Sequence, residues 1–224
     1  MSRSLITLLL KPDVFFRDLI SEQQSLDIPA WFVLIGGLLG AIGAYLMAGL
    51  TGKMLGGLMQ GMESLLGIFA VVSAVIGAFL FWVVIAGIFF LISSLFKGKG
   101  KFGRCLEVVG YGYLPQVGSA LVVTVLTVIF LPDISVASLP ASALQDPQAL
   151  QAAMGAFAHE PAMVHLRQVS AVVSIIFLLW SGYIWVCGIK AARGLSLRDA
   201  AICVGVPVGL YVIYLVYSVT LGMG

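Results

Sequence analysis

The chain has 224 residues, 61% of them hydrophobic and 10% charged, with a mean hydropathy of +1.10; soluble domains use roughly 45–50% apolar residues. Its apolar runs are continuous over about twenty residues, the length a helix needs to cross a bilayer, which excludes both a soluble domain and a barrel built of ten-residue alternating strands. The formal charge of +2 gives no reason to expect a nucleic-acid partner, and the fold class is all-α: a polytopic membrane helix bundle.

Residues 1–28 alternate apolar clusters with charges, and Pro12-Asp13 is a favourable helix start. Val14, Phe15, Phe16, Leu19 and Ile20 then share one broad face, with Arg17 and Asp18 opposite. This predicts an interfacial helix on the cytoplasmic leaflet, or one packed against the cytoplasmic ends of the spans. The segment is expected to stay in the mature protein, because the first apolar run is too long and too far from the start for a signal peptide.

Five spans are expected, at about Pro29 to Leu50, Leu66 to Leu91, Val108 to Leu131, Val169 to Ile189 and Ala201 to Leu221. They form one membrane domain, 29–224, with a single long outer loop at 132–168. In the first span Gly36, Gly40, Ala44 and Ala48 recur every fourth residue, with Gly37 and Gly43 adding to the flat face, a spacing that lets helix backbones approach closely in lipid; the neighbour is a span of the same chain or a second copy. The loop after it carries Met54, Met59 and Met62. Thioethers suit Cu(I), but flexible interfacial packing explains them without a metal.

In the long loop, Asp146-Pro147 reads as a cap and first position for a short helix that Pro161 stops. His159, Glu160 and His165 do not form a zinc-protease site, which needs its histidines four apart on one helical face. No metal and no cofactor is expected. Cys105, Cys187 and Cys203 all fall near cytoplasmic ends of spans, where a disulfide is not expected.

Orientation follows from the basic residues, because positively charged loops resist translocation. Ten of the 12 Lys and Arg fall on one side: Arg3, Lys11, Arg17, Lys97, Lys99, Lys101, Arg104, Lys190, Arg193 and Arg198. Lys53 and Arg167 fall on the other. The N-terminus is therefore expected in the cytoplasm and the C-terminus outside.

Residues 108–115 read VVGYGYLP and contain the letters of a potassium selectivity filter. Such a filter is an extended strand whose carbonyls replace the ion's hydration shell, and it enters from the outer side behind a pore helix. Here VGYG follows a basic loop and precedes a full span, so the context is wrong. Gly110, Gly112 and Pro115 instead weaken the start of the third span, Tyr111 and Tyr113 suit the headgroup level, and Glu107 is placed to pair with Arg104 or with a basic residue of the last cytoplasmic loop. A kinked start to the span on the cytoplasmic side is expected.

These elements resemble the Yip family, the Ypt/Rab-interacting membrane proteins and their prokaryotic relatives. The resemblance rests on Pro12-Asp13-Val14-Phe15-Phe16, on Gly98-Lys99-Gly100, on Gly110-Tyr111 followed by Pro115, and on Trp185 to Gly188, Gly194 to Ser196 and Ala200-Ala201. It implies five spans and a prokaryotic-type member. Eukaryotic members are linked to vesicle trafficking and Rab recycling and carry a long polar N-terminus, unlike the 28 residues before the first span here.

Catalysis is not expected. The interior hydroxyls of Ser73, Ser119, Thr124, Thr127, Ser174 and Ser181 have no His or Lys at a spacing that would activate them. The leading expectation is a non-catalytic protein of the cell membrane that organises lipids or partners, including an unidentified membrane protein or a second copy. Its surface would be Lys97, Lys99, Lys101, Arg104, Glu107, Gly110, Tyr111, Tyr113, Pro115, Lys190, Arg193 and Arg198, the basic ones facing anionic lipid. The alternative is a channel or transporter for a small solute or ion, with Gln116, glycines and hydroxyls lining its path.

Overall fold

The computed structural model describes residues 4–54, 63–136, 138–139 and 146–221. Nine α-helices follow one another in these segments: α1 (Leu5–Leu10), α2 (Pro12–Ile20), α3 (Asp27–Met54), α4 (Glu63–Leu95), α5 (Phe102–Tyr111), α6 (Leu114–Phe130), α7 (Pro147–Ala158), α8 (Pro161–Arg193) and α9 (Leu197–Leu221), with a 3-10 turn at Leu131–Asp133. Five helices are long and apolar enough to cross a membrane: Asp27–Met54, Ser64–Leu95, Leu114–Asp133, Pro161–Arg193 and Leu197–Thr220. The protein is an all-α, five-span helix bundle. Of the loop methionines, Met59 and Met62 lie outside the described residues.

The starts of two spans differ most from those the hydropathy pattern predicts. The third span begins at Leu114, because residues 102–111 form the separate helix α5, which ends where Gly112 and Tyr113 interrupt the helical run. The fourth begins at Pro161, eight residues early, so that 161–168 is helix and not loop. Pro161 both follows α7 and opens α8, since proline lacks only an N–H that the first turn leaves unused. Glu160 caps that turn by accepting from the Met163 N–H at 2.9 Å. Asp146 does the same for α7, accepting from Gln148 at 2.9 Å, as its position before Pro147 predicts.

At 33 residues and 1.5 Å per residue, α8 is about 50 Å long, well beyond ~30 Å of hydrocarbon. It is the post of the bundle. α6 and α9 pack along its sides, α5 and α2 against its C-terminal half, and α3 pairs with α4 and α6. The main core gathers at the end that carries the basic loops, around Phe16, Phe89, Val108, Val109, Ile184, Trp185 and Ile189. A smaller cluster of Leu50, Ile134 and Leu166 closes the opposite end.

The close approach of α3 to α4 runs through Gly37, which the expected flat face included, and not through the Gly36-Gly40-Ala44-Ala48 row one residue away. A Cβ on Gly37 would lie 3.1 Å from that of Ala78, and Ala41 is buried, whereas Gly40 is exposed with no neighbour within 4 Å. A Cβ on Gly36 would meet α6 loosely, 3.7 Å from Val117; Ala44 and Ala48 are half-buried. Gly37 and Ala41 are also small residues four apart, so spacing alone does not choose between the two rows.

Candidate functional site at the basic end

The VVGYGYLP stretch is not a filter strand. Val109, Gly110 and Tyr111 are α-helical, not extended, and the Val109 carbonyl accepts from a side chain of another span. The indole N–H of Trp82 donates to the Leu106 carbonyl at 2.9 Å and that of Trp185 to the Val109 carbonyl at 2.8 Å. Two span tryptophans thus hold α5 against α4 and α8. The fit leaves no room for side chains at Gly110, where a Cβ would press on Pro29 and Trp82, or at Gly112, where it would run into the Trp185 ring.

Tyr111 is buried, not at the headgroup surface, and its ring meets Phe15, Phe16 and Phe32 edge-on at centroid distances of 5.1, 6.5 and 6.1 Å. The Phe-Phe pair of the N-terminal motif is therefore a wedge between α5 and α8. Leu8, Phe15, Phe16 and Leu19 are all buried, which selects packing on the span ends over a helix lying free on the leaflet. Leu5, Ile6, Leu10 and Val14 stay exposed and give this segment an apolar outer face. Tyr113 packs on Trp185 at 5.8 Å, and its hydroxyl is buried with no partner among the described residues. Burial, with Tyr211 nearby, pushes its phenol above the ordinary value. Pro115 is buried in the first turn of α6.

Arg104 and Arg193, expected on a basic surface, are internal struts. Arg104 pairs with the fully buried Glu107 at 2.6 Å and also donates to the carbonyls of Leu19 and Glu22, at 3.4 and 2.6 Å, tying the end of α2 to α5. Glu107 further accepts from the Ser25 N–H at 3.2 Å. Arg193, at 2% exposure, donates to Ser93 Oγ, Ser94 Oγ and the Gly100 carbonyl at 2.9, 3.1 and 2.6 Å, and its guanidinium carbon lies 4.2 Å from the centre of the Phe90 ring. A guanidinium supplies five donors in a rigid fork, so one residue can close α4, α8 and the loop between α4 and α5. That loop is clamped again by the Lys99 N–H, which donates to the Arg193 carbonyl at 2.8 Å. Gly194 ends α8 at φ +62, and Gly100 sits at φ +96, both backbone states open to glycine.

Lys190 pairs with Asp13 at 3.1 Å, on a half-exposed surface. Lys97, Lys99, Lys101 and Arg198 are exposed, and Lys97 has φ +58. The folded chain therefore joins Arg104, Glu107, Gly110, Tyr111, Tyr113, Pro115 and Arg193 in the core of this end and leaves Lys97, Lys99, Lys101, Lys190 and Arg198 on its rim. Cys105 is buried there with its Sγ 3.4 Å from the Ala86 carbonyl; burial pushes its thiol up to about 12, and the nearby Arg193 only partly offsets this. Cys187 and Cys203 are likewise buried and free. Among the described residues no group of three or more His, Cys, Asp or Glu could hold a metal.

Residue periodicity missed the tryptophan donors, Ser93 and Ser94, and also Arg167 and Ser170. Arg167 falls inside α8 because that helix starts early, whereas Ser170 lies within the span as expected. Arg167 Nε and Nη2 and Ser170 Oγ are buried with no partner among the described residues.

A five-span helical bundle with a compact, hydrogen-bonded motif at one end defines a multi-pass membrane protein. The Yip1 domain model matches residues 6–219, nearly the whole chain, and the chain belongs to that family. An uncharacterized protein of Methanocaldococcus jannaschii is 39% identical over 119 residues, covering 53% of this chain and 84% of that protein. No solved structure matches.

Proposed function

We propose that the chain is a non-catalytic organiser of the cell membrane, with residues 1–28 and the loops after α4 and α8 in the cytoplasm, the C-terminus outside, and a membrane domain at 29–224. Its basic end engages anionic headgroups and a membrane-protein partner. The supporting observation is what remains once the struts are set aside: Lys11, Arg17, Lys97, Lys99, Lys101 and Arg198 are all exposed, on segments that converge at one end of the bundle. Each such charge contributes on the order of 1 kcal/mol of attraction to an anionic leaflet.

The test replaces Lys97, Lys99 and Lys101 by Gln in the full chain. Topology is followed by impermeant thiol labelling of cysteines introduced at loop positions, and phosphatidylglycerol retained per protein is measured after purification. Loss of retained lipid with topology unchanged supports the reading. Unchanged retention, or labelling that places the basic loops outside, overturns it.

The orphaned Arg167, Ser170 and Tyr113 groups favour a second reading. They lie along α6 and α8, where Gln116 donates to Ser181 at 3.0 Å, and unpaired polar groups in a membrane protein mark solute paths. Solute or ion flux from loaded liposomes, abolished by Gln116→Leu, supports such a path; flux no greater than from empty liposomes sinks it.

A further inference from the structure

Between α4, α8 and α9 runs a groove of about 490 Å³, and we infer that it holds one acyl chain of an anionic phospholipid whose headgroup rests at the loop carrying Lys97 and Lys99. This deepens the reading of the basic end as a lipid-engaging surface and rests on it for the headgroup alone. α9 carries Pro207 in its interior, where proline removes a backbone hydrogen bond, and Pro207 itself lines the groove. Phe89 and Trp185, 5.5 Å apart, make its floor. Ile88 and Ile92 of α4 and Val206 and Leu210 of α9 form its walls.

Its occupant follows from three observations. All three helices cross the membrane, so the groove opens toward hydrocarbon, and its side-chain lining is apolar apart from two tyrosines. Its volume falls within the roughly 300–1,000 Å³ of small-ligand sites, and it is bounded by side chains of three helices rather than by one flat face. A single unbranched chain fits. Finally, the two ends differ. At one, Phe81 and Tyr211 meet at 6.3 Å and narrow the groove. At the other, Ile92 lies five residues before Lys97, and Lys97 and Lys99 are exposed where the headgroup of such a chain would sit. Trp185 joins the groove to the family motif, since its indole N–H bonds the Val109 carbonyl while its ring lines the floor.

The full chain is reconstituted in phosphatidylcholine vesicles doped with a phospholipid bearing a diazirine in its acyl chain, either phosphatidylglycerol or phosphatidylcholine. After illumination, adducts are mapped by peptide mass spectrometry. Adducts are expected to concentrate on 85–92 and 206–214, several-fold more from the phosphatidylglycerol probe. Ile88→Trp, which fills the groove, should remove them with both probes. Lys97→Gln with Lys99→Gln should keep the adducts and erase the headgroup preference. Unchanged circular dichroism and a monodisperse profile establish that each variant is folded; Ile88→Phe, a smaller enlargement, stands in if Ile88→Trp is not, with a partial loss expected. Adducts spread evenly over the exposed faces of α3, α4 and α9 overturn the groove, as do adducts indifferent to filling or cross-links joining two copies through α4 and α9. Groove adducts without any preference for phosphatidylglycerol overturn the headgroup assignment and the basic-end reading but leave the chain site standing.

Discussion

At one end of α8 the guanidinium of Arg193 has three hydrogen-bond acceptors and an aromatic face; near the other end, on the same helix, Arg167 keeps Nε and Nη2 buried without an acceptor among the described residues. The same residue type thus closes a core in one region and is left unsatisfied in the other. Burial of a cation is tolerated where its donors are met and costly where they are not. The contrast shows that this chain's charges cannot be sorted by loop membership. Arg104 and Arg193 belong to the packed end; Lys97, Lys99, Lys101 and Arg198 stand on its rim.

The sharpest way to break the packed end is to crowd its tightest contact. Gly112→Val places a branched side chain against Trp185 and should destabilise by about 3 kcal/mol or more, read as a drop in the thermal midpoint of the detergent-solubilised protein. An unchanged midpoint would show that the indole has room to move. Next in size is the strut itself. Arg193→Met loses charged hydrogen bonds of about 1.5–3 kcal/mol each, partly regained by hydration of the freed groups, so a net loss of about 3 kcal/mol is expected. Arg198→Gln, on the rim, should stay within about 0.5 kcal/mol. Equal effects would erase the distinction between strut and rim.

The opposite end should respond with the opposite sign. Arg167→Met removes a half-buried cation whose Nε and Nη2 are buried without a partner among the described residues, keeps its volume, and is expected to stabilise by about 1 kcal/mol. A loss of stability would mean that the guanidinium has found a partner in the bilayer. The smallest effect concerns Cys105. With its thiol held up at about 12 against an ordinary 9.0, the folded protein should resist maleimide at that position at pH 8, and labelling should appear on unfolding. Since the unfolded thiol ionises first, its contribution to stability is complete below pH 9.0 and fades as the pH rises toward 12.

Much of the fold was legible because its signals are local. Five apolar runs survive as five spans, Pro12 starts α2, and Asp146-Pro147 starts α7. The weakness of the chain around Gly112 was legible as well, though not that residues 102–111 would form a helix of their own. The pairing of Glu107 with Arg104 was readable from a three-residue spacing; the third and fourth contacts of that cluster, from Glu22 and Ser25, come from a segment more than 80 residues away and left no trace in the local pattern. The same holds for the choice between Gly36-Gly40 and Gly37-Ala41, which depends on the rotation of α3 against α4.

By itself, the sequence determined that the chain crosses the membrane as helices, where they lie, and which loops are basic, because hydropathy, capping and charge act over a few neighbouring residues. Only the tertiary structure decided that the VVGY of VVGYGYLP is the clasped end of a helix, that two of the basic residues are struts, and that a groove opens beside Pro207. Those outcomes depend on which distant carbonyl meets which indole or guanidinium, and in a chain where nearly every face is apolar the pattern of residues does not say which face turns inward.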